Sequence, residues 1–222
     1  MTPAARRGHM AVALAESEAG IALSGDPGPP QALLWCESLA ALAAARPGAS
    51  DERRSHAAAA VAAFAEGGAL LGIDHYFVVD SADLDPADIT ERLGDAWALF
   101  TGMGMVNCTP VLAVPLVRSA VVVGDDRAGR VAEELAAAAK RTGLGGLDAL
   151  ARHTRGIVGR DVGLLLEAAD GYRMLQRPLD VVDVLDDAAR IARAVGDGRA
   201  QGLARSAAAS LAACGALDAG GD

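Results

Sequence analysis

Three glycine-centred breaks, Gly124-Asp125, Gly159-Arg160-Asp161 and Gly196-Asp197, recur 35 and 37 residues apart and divide the C-terminal half of this chain into Ala- and Leu-rich pieces. A piece of that length holds two short helices and a turn. Such a pair cannot bury its apolar face alone and must stack on its neighbours. The spacing therefore commits the chain to a helical array before any single side chain is considered.

Composition agrees with that constraint. Of 222 residues, 52% are hydrophobic but only 3% aromatic, so the core must be built from Ala, Leu and Val, and alanine lets helices pack closely. Strands would need alternating β-branched and aromatic residues. Here the apolar positions recur at helical spacing and the strongest helix former dominates. The expected fold is all-α: antiparallel helical hairpins stacked as a right-handed, tetratricopeptide-like solenoid of about ten helices. It is read as one domain, 1–222, with a divergent half over 1–108, regular repeats over 109–216 and a frayed tail over 217–222.

Along the chain, a first helix over 3–23 stops at Ser24-Gly25-Asp26-Pro27, and Pro29-Pro30 open a second that runs to residue 45. Ser50 is placed to cap a third helix, with Asp51 and Glu52 in the first turn where the macrodipole favours carboxylates. Gly67-Gly68 ends or kinks it. The stretch 69–79 is ambiguous, since Tyr76 to Val79 suits a helix or a short extended piece. Asp85 then caps and Pro86 takes the first helical position, with Ile89, Leu93, Trp97 and Phe100 forming one buried face. Thr109-Pro110 repeats the cap-and-proline device, and Pro115 is expected to bend or delay that helix. Further helices are read at 126–141, 146–158, 161–175, 178–194 and 199–213.

A formal charge of −9 and a pI near 4.9, with Lys140 the single lysine and the arginines scattered, argue against an electrostatic grip on nucleic acid. Cys36, Cys108 and Cys214 are an odd number at wide spacing with no CxxC, so neither a disulfide framework nor a zinc site is expected. No leader pattern opens the chain, and every apolar run is broken before it could span a bilayer. The expected compartment is the cytoplasm, with no membrane partner.

The run from Pro110 through Val121-Val122-Val123-Gly124-Asp125 carries a resemblance. It is joined by Leu164 to Tyr172, Arg177-Pro178-Leu179-Asp180 and Leu185-Asp186-Asp187-Ala188-Ala189 through Gly196-Asp197. Together these resemble the tetratricopeptide-like region of the large LuxR-type, MalT-like transcriptional regulators of actinobacteria, and the Arg-for-Lys bias matches high-GC coding. The resemblance covers roughly 109–216. In that family an ATP-binding module precedes the repeats and a DNA-binding helix-turn-helix follows them. This chain has no G-x-x-x-x-G-K-[ST] to cradle phosphates. The resemblance thus implies the middle of such a regulator, as a free-standing relative, a diverged one or an excised piece.

Chemistry-bearing residues are few. Asp180, Asp183, Asp186 and Asp187 fall on one helical face and are read as a solvated surface opposite Val181, Val182 and Leu185, in preference to a magnesium-diphosphate site. His9, His56, His75 and His153 are far apart and none lies at H-x-x-x-H spacing, so no metal and no cofactor is expected. Trp35-Cys36-Glu37 and Asp74-His75-Tyr76-Phe77 gather several of the rare aromatics beside titratable groups. Glu37, Asp74, His75 and Tyr76 are the acid–base candidates. Trp35, Cys36, Phe77 and Trp97 are the ligand-lining candidates, with Met103 and Met105 in a flexible apolar loop. Two functions follow. The first is a non-enzymatic repeat module that binds a protein segment or small molecule in its groove and offers an exposed terminal helix for homodimer formation. The second is an enzyme of natural-product metabolism that uses an inter-helical cavity for acid–base-assisted cyclisation or rearrangement.

Overall fold

The computed structural model describes residues 10–25, 28–44, 51–67, 72–105 and 107–214, and among these it contains eleven α-helices and no strand. They are α1 Met10–Ser24, α2 Pro30–Ala44, α3 Asp51–Gly67, α4 Ile73–Asp80, α5 Pro86–Gly102, α6 Thr109–Val123, α7 Arg127–Thr142, α8 Gly145–Gly159, α9 Val162–Met174, α10 Pro178–Ala194 and α11 Ala200–Ala213. The all-α expectation holds, with one helix more than the ten anticipated: the ambiguous stretch supplies α4. The expected cap at Ser50 and the frayed tail at 217–222 lie outside the described residues.

The helices gather in two compact units that divide between Leu84 and Asp85. In the first, α1 packs on α2, α2 on α3, and α4 on both α2 and α3. Its apolar core joins Leu34, Ala60, Ala63 and Tyr76, with Phe64 and Phe77 packed against them. In the second, each helix from α5 to α11 packs on the next, and α6 and α10 also reach α8. Close approach is bought by small residues: a Cβ on Gly156 would stand 2.7 Å from Leu165 Cγ, so α8 meets α9 there only because position 156 has no side chain.

Local signals explain the helix boundaries of the second unit. Asp85 caps α5 through Oδ1, which accepts from the backbone N–H of Ala87 at 2.8 Å and Asp88 at 3.1 Å, and Pro86 follows as expected. The reading of Thr109 as a cap is corrected. Helix α6 begins at Thr109 itself, with Cys108 in the cap position and no side-chain cap bond, and it runs uninterrupted through Pro115 to Val123.

The turns carry a tighter period than the glycines alone. Gly124 (φ 74°), Arg160 (φ 51°) and Gly196 (φ 73°) are the left-handed residues of the three breaks, and they are 36 residues apart in both intervals. Each is followed by an aspartate whose backbone N–H closes the preceding helix from five residues on: Asp125 to Ala120 O at 2.9 Å, Asp161 to Gly156 O at 2.9 Å, Asp197 to Ala192 O at 2.8 Å. Each aspartate's Oδ1 then accepts the N–H two residues ahead, from Arg127, Gly163 and Arg199. One residue thus ends a helix with its main chain and starts the next with its side chain.

Arg160 occupies a backbone region that costs a side-chain-bearing residue roughly 1–2 kcal/mol. Arg160→Gly is expected to raise stability by about 0.5–1 kcal/mol, and Gly124→Ala at the equivalent turn to lower it by about 1 kcal/mol. Paired urea unfolding curves read the two signs.

Candidate functional site

In the first unit, α2 and α4 position the aromatic candidates. Gly72 (φ 78°) begins α4 against α2, where a Cβ would stand 3.1 Å from Trp35 Cα. This brings the Trp35 and His75 rings to 5.8 Å between centroids, tilted by 41°. His75 Nδ1 is 3.0 Å from Asp74 Oδ1. Burial alone would raise the Asp74 carboxyl, but the hydrogen bond and charge of His75 outweigh it and leave the group below its usual range.

Tyr76 stacks on Phe64 at 4.1 Å and meets Phe77 edge-on at 5.4 Å, so both Tyr76 and Phe77 belong to the apolar core. Glu37 is buried, and its Oε2 accepts from His56 Nδ1 at 2.7 Å. Cys36 faces α1: a Cβ on Gly20 would stand 2.6 Å from its Sγ. Burial, then the charge of Glu37, pushes the Cys36 thiol up, opposite to what an activated nucleophile needs. The structure therefore joins Trp35 to His75 and Asp74, seats Tyr76 and Phe77 in the core, and turns Glu37 to His56.

A second gathering of titratable groups in this unit joins α1 to α3. One carboxylate oxygen each from Glu18 and Glu52 and a ring nitrogen of His56 all lie within 4.8 Å of one another.

The remaining candidates belong to the second unit. Trp97 is buried in α5 and its Nε1–H donates to Glu134 Oε2 on α7 at 2.7 Å, while Met103 is the exposed C-cap of α5 and Met105 is half-buried after it. Alongside Trp97, Arg127 of α7 donates to Thr90 O at 3.1 Å, in the space that Gly94 leaves.

The best-formed acid–base constellation in the second unit is one the sequence reading passed over. Asp187 on α10 is 0% exposed. Arg118 of α6 clamps it through Nε and Nη2, at 3.0 and 2.8 Å, and donates from Nη2 to Asp183 O at 3.3 Å. His153 of α8 donates from Nε2 to Asp187 Oδ2 at 2.8 Å, and Arg190 adds a further ion pair one helical turn on. The Tyr172 hydroxyl of α9 stands 3.5 Å from His153 Nδ1, and Arg177 lies over the Tyr172 ring while gripping Asp180 with both Nε and Nη2.

The reading of this acidic run as a solvated face is corrected: Asp186 is exposed, but Asp180 and Asp183 are half-buried and Asp187 is fully enclosed. The partners that enclose it come from Arg118 and His153, which are 69 and 34 residues away, so a search confined to one helix face does not find them. A buried charge needs such partners, and their presence decides its state. Burial would raise the Asp187 carboxyl, but the His153 hydrogen bond and the Arg118 charge hold it at about 2. Burial, then the charge of Asp180, pushes the Tyr172 phenol far up. His153 and Tyr172 are each 1% exposed, whereas the Arg118 and Arg190 side chains are 31% and 51% exposed, so the constellation is covered at its carboxylate and imidazole and reaches solvent at its guanidinium groups.

Compared with known protein families, curated proteins and solved structures, the chain matches none.

The Asp187 carboxyl is depressed in the fold, so its contribution is complete above the unfolded value near 3.9 and is lost as pH falls through about 2. Acid titration of stability should lose about 2 kcal/mol over that window. Asp187→Asn should abolish that loss and, by removing the charge paired with the partly exposed Arg118, cost about 1–3 kcal/mol at neutral pH. Urea unfolding across the pH range checks both.

Proposed function

We propose that this chain is a non-enzymatic helical-repeat binding module, related to the repeat region of a transcriptional regulator and working in the cytoplasm, that takes a protein segment on its turn edge. The reading treats the 36-residue units of the second unit as antiparallel hairpins stacked in register, as in tetratricopeptide-like solenoids.

One observation carries it. The residues just before the three equivalent turns include exposed valines: Val122 is 69% exposed, Val158 38% and Val195 52%. Val122 and Val158 are 36 residues apart and Val195 follows 37 further on. Stacking in register sets Val122 and Val158 in one row, and Val195, one position nearer its turn, extends the apolar edge beside it. A repeated apolar row on an otherwise acidic chain is a feature that folding does not require and that a partner with apolar side chains at matching intervals would cover. The Asp187 constellation supports the same side of the choice, because the buried titratable groups that could act as acid and base there are engaged with one another.

The enzyme reading rests on Asp74 and His75 beside Trp35 in the first unit, where Asp74 fixes the imidazole against an indole face. If it were right, His75→Ala combined with Tyr76→Phe would abolish turnover of a co-purifying metabolite.

Native mass spectrometry of the protein purified from its own host separates the two. The expected result is a defined protein partner that is lost from a folded Val122→Ser, Val158→Ser, Val195→Ser variant. A bound metabolite that the wild type turns over, with no protein partner, would overturn the proposal.

A further inference from the structure

We infer that Glu18, Glu52 and His56 form a divalent-cation site, with Zn2+ as the natural probe, that links α1 to α3 in the first unit. The three side chains bring one imidazole nitrogen and two carboxylate oxygens within 4.8 Å of one another. Three protein donors, imidazole nitrogen and carboxylate oxygen among the types that divalent zinc accepts, match the number in an open site whose shell water completes.

Three features separate the group from an ordinary acidic surface. The first is its origin. Glu52 and His56 are one helical turn apart on α3, so they share a face, whereas Glu18 arrives from α1. The macrodipole accounts for Glu52 in the first turn of α3 but not for a second carboxylate drawn to it from another helix. The second is charge. Two carboxylates of like charge stand together at one imidazole, an arrangement that a bound cation would stabilise.

The third is the state of His56. A carboxylate only accepts hydrogen bonds, so the 2.7 Å contact with buried Glu37 puts a proton on Nδ1 and leaves Nε2 to ligate. A carboxylate behind the distal nitrogen fixes the tautomer and orientation of metal-bound histidines, and this one is positioned by α2, which packs on both α1 and α3. Glu37 is here a positioning residue rather than a ligand.

The test uses the full chain stripped with EDTA and titrated with ZnCl2 by calorimetry, with thermal unfolding measured in parallel. About one Zn2+ per chain should bind, and saturating metal should raise the unfolding temperature by roughly 5 °C. Glu18→Gln with Glu52→Gln should lose at least about 100-fold in affinity and abolish the thermal shift. Glu37→Gln, with all three ligands intact, should weaken binding by about 10–100-fold. Replacing Cys36, Cys108 and Cys214 with Ser should change neither. Circular dichroism confirms that each variant is folded. Binding that survives the loss of both carboxylates, or that disappears with the cysteines, would overturn the assignment, as would the absence of binding at millimolar Zn2+.

Discussion

The second unit depends on a carboxylate it cannot leave alone. Asp187 sits at 0% exposure in a core of alanine, leucine and valine, and an unpartnered ion there would cost several kcal/mol. Its partners come from three helices: Arg118 on α6, His153 on α8 and Arg190 on its own α10. Satisfying one side chain therefore fixes the axial positions of α6 and α10 against α8. Removing a partner is more costly than the whole network is worth net, because what remains is a buried charge with incomplete pairing. Small side chains alone would leave neighbouring helices free to slide by a turn. A clamped carboxylate does not.

The turns do for the chain direction what Asp187 does for register. At each 36-residue interval an aspartate follows a left-handed residue, closes the helix behind it through its N–H and opens the helix ahead through its carboxylate. Both ends of the loop are satisfied by one residue, which leaves few orphaned backbone groups and keeps the connections short. The valines preceding these turns are exposed by their position at the helix ends.

Much of this was legible in the sequence. Glycine and aspartate marked the turns, and helix ends fell within a residue or so of those read, as for 126–141 against Arg127–Thr142. The middle break was placed at Gly159 because glycine is the residue expected at positive φ. The chain instead puts Arg160 there, which no propensity would suggest and which shortens the apparent irregularity of 35 and 37 to an even 36. The acidic run was misread for a different reason. A helical face predicts which residues stand together, but whether they meet water depends on elements folded over them, and Arg118 lies 69 residues from Asp187. The pairing of Glu52 with His56 at one helical turn was visible, yet Glu18 and Glu37 come from separate helices and only the fold assembles them. The concentration of aromatics near Trp35 and Tyr76 was visible in the sequence, and the fold sets Trp35 beside His75 and Tyr76 beside Phe64 and Phe77. Tyr76 and Phe77 fill volume that alanine cannot, which is why rare large rings concentrate there.

Native-state hydrogen exchange in the second unit tests the central claim that one buried carboxylate couples α6, α8 and α10. The account predicts that the slowest amides of these helices share a common opening free energy, and that Asp187→Asn lowers all of them together while the cap-controlled start of α5 is less affected. If only α10 loosened, with α6 and α8 keeping their protection, Asp187 would be a local ion pair and the helices would owe their register to something else.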